Sequence, residues 1–348
     1  MKICIDIPGS VTHGLWSPER GESRWAQNWA SFLASLGHEV TCICTPGLWG
    51  ACPPVPNVTL VQRPDPNKVY DIFMHAAWWE GRDIFGVKSR VYVHHHYCFE
   101  PYMAKESHIQ KNHVISCAYV QSIPYFMGEW NPFAHKTFCL PIPIAAEYGK
   151  SHFEKNTLTW AAKEIFLDRH APGNTQWYKC GKSVIEAMKE QQVKSGYNCN
   201  FLMWDHLNPK SHKAVHEYGV DKIIESINPK QIYGIMPYRE VFKFIEESKM
   251  SLPVISPGGS MIESIMLGVL PLAWQGSPLD QAAKDSNWIL STGATDADIK
   301  RHIDMVLNSR DLYDSILARF QEALAGHLYS SSLKYFNMLV DWMEKNCE

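Results

Sequence analysis

The sequence predicts an α/β protein of two doubly wound domains facing across a cleft, and three observations carry that expectation. Short apolar runs of strand type alternate with amphipathic runs of helical spacing along the whole chain. The alternation passes twice, with an extended segment holding two prolines, Leu140-Pro141-Ile142-Pro143-Ile144, near the break. The length, 348 residues, is enough for about two domains with a core each.

The first domain is placed over residues 1–148. Lys2 to Ile7 predicts a parallel-type strand, since Met1 to Ile7 is too short and too soon charged for a signal peptide. A loop follows from Pro8 to about Gly21. Ser23 to Leu36 then sets Trp25, Ala26, Trp29, Phe32, Leu33 and Leu36 at helical spacing, and Gly37 stops it. Val40 to Cys44 resumes a strand. This is a βαβ unit with a right-handed crossover, whose ligands bind at the carboxyl ends of the strands. The loop from Pro8 to Ser23 is therefore a candidate lip of the cleft. Further strands are expected at Val58–Val61, Asp71–Met74, Val91–Val93 and Val114–Ser116, with His75 after the second and His94-His95-His96 after the third. Side chains alternate faces along a strand, so three consecutive histidines cannot share one metal, and no metal site is expected.

The second domain is placed over 149–326, and a C-terminal helix over 327–348 has the first domain as its candidate packing partner. Leu158–Ala161 predicts a strand with Lys163 just past its end, followed by a Gly/Pro/Asn-rich insertion, Asp168–Gln176. Lys179–Lys189 is a helix, Phe201–Trp204 and Gln231–Tyr233 are strands, and Tyr238–Glu247 is an amphipathic helix. Ser251 to Pro278 reads as an apolar strand, a Pro257-Gly258-Gly259 turn, a helix, and a second strand from Leu270 to Trp274. Ser260 is placed as the helix N-cap with Glu263 closing a capping box, and Gly268 ends the helix. A glycine turn feeding a helix offers free N–H groups and a positive dipole end, which is an anion site. Asp296–Val306, Asp311–Leu324 and Leu333–Met343 are the last helices.

With 45% hydrophobic and 20% charged residues, the composition is that of an ordinary globular protein. A net charge of −3 argues against a protein that is basic throughout. No apolar run approaches the roughly 20 residues of a membrane span. The 10 cysteines form no CxxC pair, and without a secretory signal they are expected to be reduced thiols of a cytoplasmic protein.

Several segments, in order, resemble the GT-B glycosyltransferases, and the family-4-like retaining enzymes in particular. Gly21-Glu22-Ser23-Arg24 and LASLGHEV (Leu33 to Val40) resemble the family's N-terminal glycine loop and GHEV segment. Ile115–Tyr119 with Leu140–Pro143 resembles the stretch before the hinge. Trp160–Lys163, Lys179-Cys180 and Ile185-Glu186-Ala187 resemble the segment whose Arg and Lys hold the donor pyrophosphate. Tyr233-Gly234 to Val241, including Tyr238, resembles the part that abuts the nucleotide base, and Ser251–Pro278 resembles the donor-binding motif. The chain departs from the family at Ile255, where the first Glu of Glu-x7-Glu is expected, at Lys163 for the Arg, and at Cys180 for a Gly.

The resemblance implies two Rossmann-like domains and a metal-independent, retaining transfer of a hexosyl or pentosyl group. The donor would be a nucleotide-activated sugar, a UDP-sugar first, and the acceptor a hydroxyl. It gives Lys163 and Lys179 the developing charge of the leaving diphosphate, a demand that cations and oriented N–H groups meet. Gly259, Ser260 and Met261 would add the helix dipole, Glu263 would bind ribose hydroxyls, and Gly21, in the N-terminal glycine loop of the acceptor-side domain, would also contact the donor. His94 or His95 would stand near the donor sugar. No general base stands out among Asp6, Glu22, His75 and Glu100, and a retaining enzyme needs none. The acceptor is a small molecule, a glycan or lipid intermediate, or a nucleobase in phage-type DNA modification. The last needs a basic, aromatic-lined groove, for which Arg20, Arg24, Arg82, Lys88, Arg90, Trp16, Trp25, Trp78 and Trp79 are the candidates. A non-catalytic nucleotide-sugar-binding protein or inactive partner subunit is the alternative of another class, and an epimerase on the same fold is the third.

Overall fold

Strands whose apolar residues are buried on both faces build two all-parallel sheets, as crossover-connected sheets require. The computed structural model describes residues 1–6, 21–43, 57–76, 86–96, 113–117, 127–129, 133–160, 176–202, 231–233, 238–252, 259–273, 279–285, 288 and 294–347. The chain divides into two compact units, Met1–Ala146 with Gly326–Glu348, and Glu147–Ala325.

In the first unit, β1 (Lys2–Asp6), β2 (Glu39–Ile43), β3 (Val58–Val61), β4 (Val69–Ala76), β5 (Lys88–His96), β6 (His113–Cys117) and β7 (Thr137–Cys139) form a 7-stranded sheet in the order β3-β2-β1-β4-β5-β6-β7. Helix α1 (Gly21–Ser35) connects β1 to β2. It ends as the sequence predicts, on Gly37 at φ 84°, with Gly37 N–H donating to Ala34 O and His38 N–H to Leu33 O. Trp25, Trp29, Phe32 and Leu33 of this helix share a core with Ile3, Ile5, Ile72, Met74, Val91, Val93 and Val114. Phe336, Leu339 and Met343 of the last helix, Tyr329–Asn346, join the same core. The opposite face packs Cys4, Ile43, Tyr70, Phe73 and Val87.

Among the differences from the sequence reading, one concerns the end of β5 and one the existence of β7. The expected third strand, Val91–Val93, extends through His96, because parallel pairing with both neighbours continues past Val93: His94 pairs with His75 and Ile115, and His95 with Ala76 and Ser116. The three histidines are strand residues rather than a turn. Strand β7 was not anticipated at all; Thr137-Phe138-Cys139 is too short to declare itself without its partner β6.

The second unit repeats the plan. Strands β8 (Thr157–Trp160), β9 (Asn198–Leu202), β10 (Gln231–Tyr233), β11 (Met250–Ser251) and β12 (Leu270–Pro271) form a 5-stranded sheet in the order β10-β9-β8-β11-β12. Helix α2 (Gln176–Ser195) links β8 to β9, α3 (Tyr238–Glu246) precedes β11, and α4 (Gly259–Met266) links β11 to β12. Asp280–Asp285, Asp296–Leu307 and Arg310–Ala323 are α5, α6 and α7, and the last helix, Tyr329–Asn346, is α8. Helix α6 carries a complete capping box, Thr295 with Asp298. Tyr313 of α7 fastens the β11–β12 edge of the sheet, its hydroxyl donating to Lys249 O at 2.5 Å and accepting from Leu270 N–H at 2.9 Å. Replacing Tyr313 by Phe removes both bonds from buried backbone groups. It should lower the unfolding free energy by about 1–3 kcal/mol in a urea titration with unchanged slope.

Candidate functional site

Two carboxyl edges of parallel strands are the places where such sheets bind ligands, and in each sheet the strand order reverses once. In the second unit the reversal lies between β8 and β11, which are neighbours but not consecutive. Helices that connect parallel strands run back along the sheet, so α2, α3 and α4 begin at this carboxyl edge. Lys179 lies in the first turn of α2, Tyr238 opens α3, and Gly259, Ser260 and Met261 make the first turn of α4. The topology thus gathers five of the sequence-predicted positions at one edge. Lys163 and Ile255 lie outside the described residues.

Helix α4 starts at Gly259, one residue before the predicted N-cap, so Ser260 is a helical residue rather than its cap. Glu263 is 1% exposed. It is the fifth of the helix's eight residues, and a carboxylate that deep is costly unless it is hydrogen-bonded or paired. One row of the sheet across the reversal is polar: Asn200, Thr159 and Ser251 stand in register on adjacent strands, and all are buried. Thr159 Oγ1 and Ser248 Oγ are 2.5 Å apart, whereas Asn200 Oδ1, Ser251 Oγ and the neighbouring Trp160 Nε1 have no hydrogen-bond partner among the described residues. That is uncommitted bonding capacity on both strands flanking the reversal. The sequence reading missed this row; strands containing Thr159 and Asn200 look like ordinary buried strands until they are aligned.

In the first unit the reversal lies between β1 and β4. Asp6 is the last residue of β1 and is paired in register with His75 of β4. Their side chains are 3% and 8% exposed, and His75 Nδ1 lies 2.8 Å from Asp6 Oδ2. The contact is short but off-line, since Nδ1 makes no well-aligned hydrogen bond. His94 continues the line on β5: its ring meets that of His75 edge-on at 6.3 Å, and its Nε2 is 3.4 Å from Nδ1 of His113. His113 went unnamed in the sequence reading, although aligning VYVHHH with HVISC across two parallel strands brings it out.

His95 points to the other face. Its ring stacks on Trp25 at 3.9 Å, its Nδ1 is 2.9 Å from Ser116 Oγ, and it is buried. The two histidines proposed together are therefore separated by the sheet, as strand alternation demands. Gly21, the first residue of α1, begins its helix at the same edge as Asp6. Among the described residues no set of three or more His, Cys, Asp or Glu is arranged to hold a metal ion. Of the side chains that a nucleobase groove would need, Trp25 is in the core and donates its indole N–H to Leu140 O. Arg90 is engaged with Asp71, Glu344 and the carbonyl of Cys347. Arg20, Arg82, Trp16, Trp78, Trp79 and Glu100 lie outside the described residues, as do the side chains of Arg24 and Glu22.

No protein-family model matches the sequence, and no curated protein does. Solved structures do match it over nearly its whole length. A glycosyltransferase from Rickettsia africae is 12% identical with a TM-score of 0.61, and HepE of Anabaena, solved in complex with UDP, is 9% identical with 0.56; in both cases 99% of each chain is covered. The chain has the GT-B fold. A UDP-GlcNAc 2-epimerase from Methanocaldococcus jannaschii also matches, at 11% identity and a TM-score of 0.51, over 93% of this chain and 99% of the other. The GT-B fold thus serves transferases and an epimerase, and at such identities the likeness speaks for the fold alone. No described helix is long and apolar enough to cross a membrane.

Proposed function

We propose that the protein is a metal-independent glycosyltransferase that moves a sugar from a nucleotide-activated donor, a UDP-sugar first, to a hydroxyl acceptor. One observation carries the reading: the first turns of α2 and α4, with Lys179 on the former, meet the carboxyl edge where the second sheet reverses. Two helix N-termini and a lysine are what a diphosphate needs, and its charge grows as the glycosidic bond breaks. The unpartnered atoms of Asn200, Ser251 and Trp160 favour a polar ligand there. The UDP bound to the similar Anabaena protein favours uridine as the base.

Tyr238 is placed at the base, Glu263 at the ribose, and Lys163 beside Lys179 at the diphosphate. The Gly21 helix start and His94 stand on the acceptor side, while His95 supports the sheet from its other face. Retention is what the resemblance implies. The buried Asp6–His75 pair favours a base-assisted route instead, and the two routes give opposite anomers. A glycan or small-molecule acceptor fits better than DNA, given that Trp25 and Arg90 are taken up in the fold.

The reading is tested by thermal unfolding with millimolar UDP, GDP or ADP. One of them should raise Tm by several degrees. In Lys179→Ala, the loss of a charge-assisted contact, about 1.5–3 kcal/mol, should remove most of that shift while leaving the Tm of the free protein unchanged. No shift with any of the three contradicts the site, and turnover that needs an added divalent cation after EDTA treatment contradicts metal independence.

A further inference from the structure

We propose that Cys117 and Cys139 are a redox pair: a peroxide converts the two thiols to a disulfide that pins the edge strand β7 to β6, and a thiol reductant reverses it. The inference goes beyond the transferase reading and does not rest on it.

Three observations carry it. First, the two cysteines are partners in register on adjacent parallel strands, so their side chains leave the sheet on the same face. Such strands stand about 4.7–4.9 Å apart, inside the Cα spacing of about 4.4–6.8 Å that a disulfide spans, and the Cβ atoms need to close by about 1 Å. Second, the thiols already meet: Cys117 and Cys139 are hydrogen-bonded through their side chains, and both are buried. Third, no other two described cysteines stand in register. Cys4 and Cys42 lie on adjacent strands but one residue out of register, and they face opposite sides of the sheet. Cys199, in the second unit, donates its thiol to Met188 O instead.

Strand β7 gives such a bond something to hold. It is three residues long, ends the sheet beside β6, and leads into Leu140–Ile144. There Leu140 N–H donates to Cys117 O, Trp25 donates its indole N–H to Leu140 O, and His327 donates to Ile142 O. A short edge strand opens locally before its sheet does. While it is closed the pair is guarded: the bond to Cys117 and burial hold the Cys139 thiol well above its ordinary range, and a thiol is a far poorer nucleophile than a thiolate. Opening frees Cys139, the more exposed of the two at 5% against 1%. Its sulfur then attacks one oxygen of the peroxide. The O–O bond breaks, Cys139 becomes a sulfenic acid, and its proton leaves with the other oxygen as water. As β7 recloses, the Cys117 sulfur attacks that of Cys139. The S–S bond forms, the S–O bond breaks, and the hydroxyl departs with the Cys117 proton as a second water. The two thiols lose two electrons and the peroxide gains them. Because the strands must draw together at that rung, the disulfide is strained and reducible.

The experiment uses the full, reduced chain, exposed to hydrogen peroxide at neutral pH, quenched by alkylation and mapped by peptide mass spectrometry, with Cys139→Ala alongside. Two peptides joined through Cys117 and Cys139, lighter by two hydrogens and separated again by dithiothreitol, should appear. Their rate of formation should rise about tenfold in urea below the unfolding transition, since opening of β7 limits it. The oxidised chain should melt several degrees above the reduced one, because the cross-link restricts the unfolded chain, and Cys139→Ala should lack that shift. Cys117 and Cys139 still reduced after other thiols have reacted, or Cys139 carried to a sulfinic acid without the link, overturns the proposal. So does a link that forms only in the unfolded chain, and a link that leaves Tm unchanged overturns the pinning of β7. The wild-type map and melting curves decide these outcomes even where Cys139→Ala fails to fold. No nucleotide enters the experiment, so the transferase reading stands or falls separately.

Discussion

Gly268→Ala should unfold the second unit at a markedly lower temperature than the native chain. Gly268 closes α4 in the left-handed region, at φ 90°, with its N–H donating to Ile265 O and Val269 N–H to Ser264 O. An alanine there meets conformational strain of about 1–2 kcal/mol. The larger penalty is steric. A Cβ on Gly268 would fall on the backbone carbonyl of Lys150, where the chain enters the unit, and Gly149 meets the backbone of Leu267 in the same way. Backbone cannot rotate aside as a side chain can, so an overpacking cost of about 1–3 kcal/mol adds to the strain. The sum, about 2–5 kcal/mol, corresponds to a Tm lowered by about 5–20 °C for a unit of this size. Gly37→Ala is the internal comparison. Gly37 has a similar φ of 84° and the same helix-ending hydrogen bonds, but nothing lies within 4 Å of its added Cβ. Only the strain remains, and its effect should be about half as large. Equal effects would show that crowding at Lys150 contributes nothing.

The second large effect is a loss of stability in acid that depends on His327. This residue lies where the chain returns to the first unit, and the seam is hydrogen-bonded on both sides: Ile144 N–H donates to His327 O, and Tyr329 N–H to Ala145 O. His327 Nδ1–H donates to Ile142 O at 2.9 Å, and burial pushes its pKa from 6.5 down to about 4. The unfolded chain therefore binds a proton at pH values where the folded chain does not. Stability is full above about pH 6.5 and falls as the pH drops toward 4, by about 3 kcal/mol over the whole range and about 2 kcal/mol by pH 5. His327→Gln keeps an amide donor for Ile142 and has no proton to gain. Urea titrations at pH 7.5 and pH 5 should show the native chain losing about 2 kcal/mol more than the variant. Parallel losses in the two would refute the assignment.

Both glycines that end α1 and α4 were legible in the sequence, because a helix stop is decided within a few residues. So was the alternation that gave two doubly wound sheets, since burial on both faces leaves continuous apolar strands. The ends of β5 and the existence of β7 were not legible. Whether His94 continues a strand depends on finding His75 and Ile115 beside it, and that pairing joins segments far apart in the chain. The site shows the same division. Lys179, Tyr238 and Gly259 could be placed from local helix starts, and topology brings them to one edge. Asp6 and His75 were each visible as single candidates, but their pairing appears only when β1 and β4 lie side by side, and the strand face that separates His94 from His95 appears with it.

The account stands most directly on nucleoside diphosphate release, followed by chromatography over a panel of UDP-, GDP- and ADP-sugars with and without hydroxyl acceptors. It predicts release from one donor class, UDP-sugars first, at a rate that rises with acceptor and is lost in Lys179→Ala. A thermal shift with a nucleotide but no release from any donor would make the protein a nucleotide-sugar-binding module. Neither shift nor release would contradict the account at its root.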